Sequence, residues 1–451
     1  MWAVGDFVKR SSVTNIQRGF LMRILRNGEK GFDRYLSGVE SRIAEDPLRL
    51  EGEVRSILRD VKKRGDEALL RYTQRFDNVR LTLSQLEVKR EEVKEARKRI
   101  PRDFLETLKK ASHRIRRFHQ FAKKRWMVKW IEEGIRIEQI VKPLERVGIY
   151  VPGGKASYPS TVLMAAIPAK VAGVKEIIIT TPPHPEGISP AVLVAADLAG
   201  VDRIFRAGGV QAIGALAYGT GSIPKVDKIV GPGNRYVAIA KRLVYGAVDL
   251  DMVAGPSEIV IISDGKTPPA FLAADLISQA EHDERALSIL ITTSEAFAKK
   301  VEEEVRRQLL TLKREKIARK SLRQRGAILI VKDLTHAIEL ANRIAPEHLE
   351  LSVKNPLRLA KSVKHAGAVF LGPHTPEAIG DYLAGPNHIL PTSGTARYAS
   401  ALSVEDFQKK INLMQFSEKA LRRFEGDVKR FTEWEGLEGH YRSVQIRMKR
   451  Q

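Results

Sequence analysis

The sequence predicts an α/β fold in which parallel sheets are covered by helices on both faces. Short runs rich in β-branched residues recur from about residue 140 onward. They lie at 147–151, 176–181, 228–231, 258–263, 287–293, 327–331 and 368–372. Apolar helical segments such as STVLMAAIPAKVAG separate these runs. Continuous apolar strands that alternate with helices are typical of parallel sheets buried on both faces.

The segments on either side of this α/β region have a helical pattern. Within 46–126, apolar residues recur at helical spacing between charges, as in the set Val54, Ile57, Leu58 and Val61. After residue 400 the sequence is again helical and charged, with apolar anchors at Leu402, Phe407, Phe416 and Trp434. This tail is too short to form a core of its own, so we expect it to pack on another part of the protein or on a partner subunit.

The composition is that of a soluble globular protein. A chain of 451 residues has room for two or three domains, with 43% hydrophobic and 29% charged residues. No run approaches the roughly 20 apolar residues that span a bilayer, and the N-terminus lacks a secretory signal pattern. We therefore expect a cytoplasmic protein, with residues 1–21 as an extension outside the fold and Met22 as an alternative start.

The absence of cysteine narrows the chemistry. With no cysteine in the chain, disulfides, thiolate nucleophiles and cysteine-ligated zinc are excluded. A bound metal has to be held by histidine, carboxylate or amide oxygen. An aldehyde oxidation has to proceed without a covalent thiohemiacetal.

The formal net charge of +23 raises the question of a nucleic-acid partner. The basic residues lie mainly in helical stretches such as 109–126 and 313–325. No nucleic-acid motif interleaves with them, so a solvated helix surface is the simpler interpretation. We expect no specific nucleic acid, and a basic nucleic-acid-binding protein is the remote alternative.

Three glycine-rich turns follow strand-like runs, at 151–161, 206–222 and 230–237. Glycine allows a close backbone approach, so turns at successive strand ends favour a ligand crevice over three unrelated turns. The strict dinucleotide fingerprint fails, because Tyr236 and Pro224 stand where further glycines belong. The turns therefore do not identify their ligand.

Candidate metal ligands and a candidate acid–base pair lie in the second half of the chain. Imidazole nitrogen and carboxylate oxygen suit zinc, and an amide oxygen can serve; the chemically suitable residues are Gln279, His282, Asp381 and His440. Spacing alone leaves surface histidines as the simpler interpretation. Glu347 and His348 are adjacent, which allows two proton-transfer roles, although on composition alone a polar pair at a helix end is the favoured interpretation.

Taken together, these segments resemble the histidinol dehydrogenase family from about residue 30 to residue 445. The resemblance is carried in the family's order by ERVGIYVPGG, YPSTVLM, AGGVQAI, DKIVGPGN, DMVAGPSEIVI, DLISQAEHD, APEHLEL, GDYLAGPNHILPT and EGLEGH. It implies one zinc ion per subunit, held by Gln279, His282, Asp381 and His440. It also implies NAD contacts at Tyr150, Gln211 and Asn234, with Glu347 and His348 as the acid–base pair. Substrate contacts beyond the zinc ligands and that pair are implied at Ser257, His388 and Glu435.

The resemblance further implies two incomplete Rossmann-like domains and a small tail exchanged between the subunits of a homodimer. Residues 1–45 are then an N-terminal extension and arm. Residues 46–146 and 257–399 form the first domain, with the substrate and zinc, and 147–256 form the second, with NAD. Residues 400–451 pack on the partner subunit, so Glu435 and His440 act there in trans.

The implied reaction is the NAD-dependent oxidation of L-histidinol through histidinal to L-histidine, the last steps of histidine biosynthesis. A related dehydrogenase of the same architecture that oxidises another small polar alcohol is the nearest alternative. The residue types that recognise an imidazole in the family are all present and favour histidinol; they are Ser257, His388, Glu435 and His440.

Overall fold

The computed structural model describes residues 21–42, 48–123, 128–153 and 157–448. Two parallel sheets and one antiparallel sheet organise these residues. The α/β prediction is confirmed. The predicted N-terminal extension, residues 1–21, lies outside the described residues except for its last position.

The six-stranded sheet has the order β1-β11-β10-β9-β12-β13, and all its strands are parallel. Its strands are β1 (Arg23–Arg26), β9 (Glu258–Ser263), β10 (Leu287–Thr292), β11 (Ala327–Ile330), β12 (His348–Ser352) and β13 (Ala368–Leu371). The helices of this unit are α1 (Lys30–Glu40), α11 (Pro269–Ala280), α12 (Glu295–Leu309), α13 (Glu315–Arg325), α14 (Leu334–Ile344), α15 (Pro356–Ala360) and α16 (Glu377–Tyr382). In β9, Val260 and Ile262 pack towards α1 and α14, while Ile259 and Ile261 pack towards α11 and α12. Helices on both faces explain why the strand is apolar throughout.

The five-stranded sheet has the order β6-β5-β4-β7-β8 and is also parallel. Its strands are β4 (Arg146–Tyr150), β5 (Glu176–Thr181), β6 (Arg203–Arg206), β7 (Lys228–Val230) and β8 (Asp249–Leu250). The helices between them are α7 (Pro159–Ala172), α8 (Pro190–Ala199), α9 (Gly209–Tyr218) and α10 (Arg235–Val244). The chain builds outward from β4 in one direction and then from β7 in the other. This reversal of strand order opens a crevice at the carboxyl ends of β4 and β7.

The helices that precede this sheet belong to the same unit. They are α2 (Leu48–Arg64), α3 (Asp66–Asp77), α4 (Leu83–Leu86), α5 (Arg90–Arg99) and α6 (Arg102–Ala122). Helix α2 packs on α9, where a Cβ at Gly214 would lie 3.3 Å from the side chains of Leu58 and Val61. Helices α5 and α6 cover α8 and α7.

This packing corrects two of the expected domain boundaries. The helical part of 46–146 packs on the unit of the five-stranded sheet and not on 257–399. The apolar side chains of α2 share a core with α9, and they approach α9 closely at Gly214. The segment 23–40 is not an arm, since β1 pairs with β11 and α1 packs into the core of the six-stranded unit.

A third sheet is antiparallel, with the order β14-β3-β2, and was not predicted. Its strands are β2 (Val128–Glu132), β3 (Ile135–Pro143) and β14 (Gln408–Phe416). The tail therefore continues as a strand after residue 407, where a helical pattern was expected. It ends with α17 (Glu418–Glu435) and α18 (Glu438–Gln445), and three short 3-10 turns lie at Thr395–Arg397, Glu405–Phe407 and Ile446–Met448.

Large apolar side chains on this sheet and on α17 face solvent. Trp434 is 92% exposed and Phe431 69%, while Ile131 and Met414 are 63% and 70% exposed. Patches of this kind are unusual on a monomer and mark surfaces that meet another protein. Within the described residues, no helix is both long enough and apolar enough to cross a membrane.

Helix α6 contains a buried histidine that generates a prediction about acid stability. His119 is 1% exposed, and neither ring nitrogen has a hydrogen-bond partner among the described residues. Burial lowers the pKa of His119 to about 4, from an ordinary value near 6.5. As the pH falls below 6.5 the unfolded chain binds this proton and the folded chain does not, so stability is lost towards pH 4.

We predict that His119→Leu makes the free energy of unfolding fall less steeply between pH 6.5 and 4, by up to about 1.4 kcal/mol per pH unit. The measurement is urea unfolding at a series of pH values. The control is His113→Leu, which changes an exposed histidine of the same helix. Equal pH slopes in the two variants would refute this role of His119.

Candidate active site

The candidate acid–base pair lies at the amino edge of the six-stranded sheet. Helix α14 ends at Ala345, which adopts a left-handed conformation with φ of 49°, and the chain then turns into β12. Glu347 immediately precedes β12, and His348 is its first residue. Both side chains are buried, at 8% and 3% exposure. The pair is therefore fixed by the start of a central strand rather than by the helix end.

His348 is held in one tautomer. Its Nδ1 lies 2.9 Å from the backbone carbonyl oxygen of Glu258, which can only accept, so Nδ1 donates. Nε2 has no hydrogen-bond partner among the described residues and lies 3.8 Å from Asp381 Oδ1 and 3.9 Å from Glu377 Oε1. Burial lowers the pKa of His348, but the surrounding carboxylates have the larger effect and raise it to about 10. Nε2 thus faces the acidic side of the site, where the carboxylates favour its protonated form.

Glu347 is oriented by the same strand end. Its Oε2 accepts a hydrogen bond of 2.9 Å from the backbone N–H of Glu258 and lies 3.6 Å from Nδ1 of His348. Burial raises the pKa of Glu347 to about 8, although the charge of His348 opposes this. A carboxyl group that titrates near neutrality can take and return protons, so the pair is suited to acid–base chemistry.

Three side chains form a candidate metal cluster beside this pair. The ligand atoms of His282, Glu377 and Asp381 all lie within 4.8 Å of one another. Asp381 lies on α16. Burial raises the pKa of its carboxyl, but the imidazoles of His348 and His388 have the larger effect and lower the pKa to about 2. His282 follows α11, so the cluster joins the C-terminal end of one helix to the face of another.

Gln279 lies next to this cluster and fits a metal site. The side chain is 1% exposed, and its Nε2 is 3.4 Å from His348 Nδ1. This leaves Oε1 buried without a hydrogen-bond partner among the described residues. A buried carbonyl oxygen without a partner is costly unless a ligand or ion occupies it. Three of the four predicted zinc ligands, Gln279, His282 and Asp381, therefore lie in one place.

The predicted substrate residues divide into two groups. His388 packs against Asp381, with its Nδ1 2.9 Å from that residue's carbonyl oxygen, and Ser257 directly precedes Glu258 at the start of β9. Glu435 and His440, in contrast, are exposed on the C-terminal helices. Within the described chain, neither has a hydrogen bond or ion pair to the cluster.

Glu377 is the site residue that the sequence analysis missed. It is 3% exposed and lies one helical turn before Asp381. The i,i+4 spacing in EAIGD places the two carboxylates on one helix face and is the signal that could have found it.

The three predicted NAD residues meet at the carboxyl edge of the five-stranded sheet. Tyr150 ends β4, Gln211 lies in the first turn of α9 and Asn234 caps α10. The hydroxyl of Tyr150 accepts from the backbone N–H of Gly209 at 3.1 Å. Both amide atoms of Gln211 are buried without hydrogen-bond partners in the described part of the chain.

The turn between β7 and α10 requires glycine at position 231. Gly231 has a φ of +106°, and a Cβ there would lie 2.3 Å from the carbonyl oxygen of Tyr150. The backbone N–H of Gly231 donates to Asp251 at 2.7 Å, and its carbonyl accepts from Lys241 at 3.0 Å. Lys241 and Asp251 form a buried ion pair. The turn is thus preorganised at the crevice, and the unpartnered amide of Gln211 fits a polar ligand such as a dinucleotide.

Comparison with known proteins agrees with this geometry. The family model described as histidinol dehydrogenase matches residues 40–448. A histidinol dehydrogenase from Syntrophotalea carbinolica is 53% identical over 430 residues, which cover 95% of this chain and all of the relative. A histidinol dehydrogenase from Bacillus cereus is 55% identical over 398 residues, which cover 88% of this chain and 92% of the relative.

A solved structure extends the comparison to three dimensions. The crystal structure of histidinol dehydrogenase from Elizabethkingia anophelis superposes with a TM-score of 0.88 at 36% identity, covering 95% of this chain and 98% of the other. The family match makes this protein, with its two parallel α/β units and its buried acid–base pair, an oxidoreductase. The chain belongs to the histidinol dehydrogenase family.

Proposed function

We propose that this protein oxidises L-histidinol through histidinal to L-histidine, with reduction of two NAD⁺. The observation that carries this proposal is the free Nε2 of His348, which faces a cluster of metal-binding side chains inside a fold of the histidinol dehydrogenase family. The absence of cysteine supports the same reaction, because the aldehyde step has to use water instead of a thiol.

The metal is proposed to be zinc, held by Gln279, His282 and Asp381, with His440 of the partner subunit as the fourth ligand. When bound, it supplies positions for the substrate's amino and imidazole nitrogens and orients the alcohol. The nitrogen, carboxylate and amide donors at the cluster suit zinc. Ser257, His388 and Glu435 are proposed to contact the substrate around these ligands.

His348 is the base in the first oxidation. Its Nε2 removes the hydroxyl proton while the carbinol carbon gives a hydride to the nicotinamide, which yields histidinal and NADH. The carboxylates around His348 favour its protonated form, and a cation held by Gln279, His282 and Asp381 would offset their charge and so favour the neutral imidazole that a general base requires. The carbonyl of Glu258 keeps the proton on Nδ1, so Nε2 is the nitrogen that reacts.

Glu347 acts in the second oxidation. One of its oxygens is occupied by the backbone N–H of Glu258, so the other is available to take a proton from the attacking water. Water adds to the aldehyde to give the hydrate. His348 then removes a hydroxyl proton from the hydrate while a second hydride leaves for the second NAD⁺, and L-histidine is formed.

NAD⁺ is proposed to bind at the crevice of the five-stranded sheet, through Tyr150, Gln211 and Asn234. The two units are linked at the loop that carries His388, because Nδ2 of Asn387 donates to the carbonyl of Met164 in α7 at 2.6 Å. This contact ties the substrate side of the site to the proposed nucleotide side. We place the enzyme in the cytoplasm, in amino-acid biosynthesis.

The protein is proposed to act as a homodimer in which Glu435 and His440 reach the partner's site. The exposed apolar residues of the tail support this arrangement, because Trp434, next to Glu435, is almost fully exposed in a single chain. The antiparallel sheet anchors the tail to its own subunit through β14 and β3, and Arg423 of α17 also bonds to Glu133 in the turn between β2 and β3. The exposed apolar side chains of α17 are proposed to pack on the neighbouring subunit.

The roles of the acid–base pair make separable predictions. We expect His348→Asn to lower the rate of histidinol oxidation by about 10²- to 10⁴-fold, because no base then accepts the hydroxyl proton. Glu347→Gln should lower the rate of histidinal oxidation more than that of histidinol oxidation to histidinal. Steady-state kinetics on each substrate, with zinc content measured in parallel, provides the test. Normal turnover of histidinol by His348→Asn, or equal losses on both substrates in Glu347→Gln, would contradict these roles.

Exchange of the tail can be tested by mixing two inactive variants. Subunits of His348→Asn and His440→Ala are unfolded and refolded together. If His440 acts in trans, mixed dimers contain one complete site, and random assembly should restore about a quarter of the wild-type activity. If His440 acts within its own subunit, the mixture has no more activity than the separate variants.

A further inference from the structure

Glu377 has no role in the reaction described so far, although its carboxylate faces the proposed metal. It is buried, it lies one helical turn before Asp381 on α16, and its ligand atom is within 4.8 Å of those of His282 and Asp381. In the single chain, Glu377 is therefore part of the cluster. His440 is not, because it lies exposed on α18.

The position of Glu377 is fixed by two neighbouring elements. Its Oε2 accepts a hydrogen bond of 3.2 Å from the hydroxyl of Ser278 on α11. Its backbone N–H donates to Oε1 of Glu350 on β12 at 2.8 Å. Oε1 of Glu377 stays on the side of the cluster, 3.9 Å from Nε2 of His348. The carboxylate is therefore aimed by the packing between α11, α16 and β12.

Two buried polar atoms beside the cluster indicate that it receives a ligand. Nε2 of His348 and Oε1 of Gln279 have no hydrogen-bond partner among the described residues, and both side chains are less than 4% exposed. His348 supplies at most one positive charge beside the carboxylates of Glu347, Glu377 and Asp381, so negative charge remains at the cluster that a cation can offset. A divalent cation satisfies the carboxylates and the amide oxygen together.

We propose that Glu377 is an alternative metal ligand: where the partner's His440 is missing, Gln279, His282, Glu377 and Asp381 form a four-donor zinc site within one subunit. This inference rests on the proposed function, since the ion is the zinc of the active site. It adds that zinc is retained by a subunit that lacks the partner's His440, with Glu377 in the fourth position. Two carboxylates, one imidazole and one amide oxygen are donors that zinc accepts.

Zinc affinity, and not activity, tests this inference. The dissociation constant for zinc is measured by competition with a chromogenic chelator in the full-length wild type, Glu377→Gln, His440→Ala and the double variant. His440→Ala should keep zinc, and adding Glu377→Gln in that background should weaken binding at least about 10-fold. In the wild-type background the same substitution should have a much smaller effect, because His440 supplies the fourth ligand.

Two controls separate the possible outcomes. Glu433→Gln in the His440→Ala background removes an exposed carboxylate of α17 and should leave zinc affinity unchanged. If the double variant does not fold, as judged by circular dichroism, His440→Ala with Glu377→Asp replaces it and should bind zinc more weakly than His440→Ala alone. Equal zinc affinity with and without Glu377 in the His440→Ala background would overturn the inference. A wild-type protein that binds no zinc would instead overturn the proposed function.

Discussion

The candidate active site depends on one residue at the start of a strand, Glu258. Its backbone N–H holds Glu347, and its backbone carbonyl fixes the tautomer of His348. Its side chain is buried and accepts a bidentate hydrogen bond from Arg42, at 2.6 and 3.0 Å, and another from the N–H of Ser393. Leaving a buried charge without its partner costs about 3–5 kcal/mol, so this ion pair constrains where β9 begins. Because Glu347 and His348 are bonded to the backbone of Glu258, the same ion pair also fixes their positions.

The same constraint connects the two parallel units. The segment between β8 and β9 leads from the five-stranded sheet to Glu258, and Thr392 Oγ1 accepts from the N–H of Gly255 in this segment at 2.6 Å. A Cβ at Gly255 would lie 2.2 Å from Oγ of Ser393, so the backbone of this segment packs directly against the side chains of Thr392 and Ser393. These contacts join the amino edge of the six-stranded sheet to the five-stranded unit, as the proposed hydride transfer between substrate and nucleotide requires.

The sequence predicted the parallel sheets well because buried strands are continuous apolar runs. The run at 258–263 coincides with β9, and the run at 176–181 coincides with β5. The sequence did not predict which unit the helices of 46–126 pack on. An amphipathic pattern shows that a helix has a buried face, but it does not show which surface covers that face. The strand at 23–26 was missed because it has only two apolar residues, Ile24 and Leu25, between Arg23 and Arg26, which is too short a run to show a period. Glu377 was missed because its only signal in the sequence is the i,i+4 spacing from Asp381, and such a spacing also occurs between exposed carboxylates; its burial beside Asp381 distinguishes it.

The most direct test of the account combines metal analysis with NADH formation from L-histidinol. The purified protein is predicted to contain about one zinc ion per subunit. It should form two NADH for each histidinol consumed, lose this activity when the metal is removed by a chelator, and recover it when zinc is returned. A protein without zinc, or one whose oxidation of histidinol is unchanged by chelation, would contradict the claim that the side chains around His348 bind a metal for this reaction.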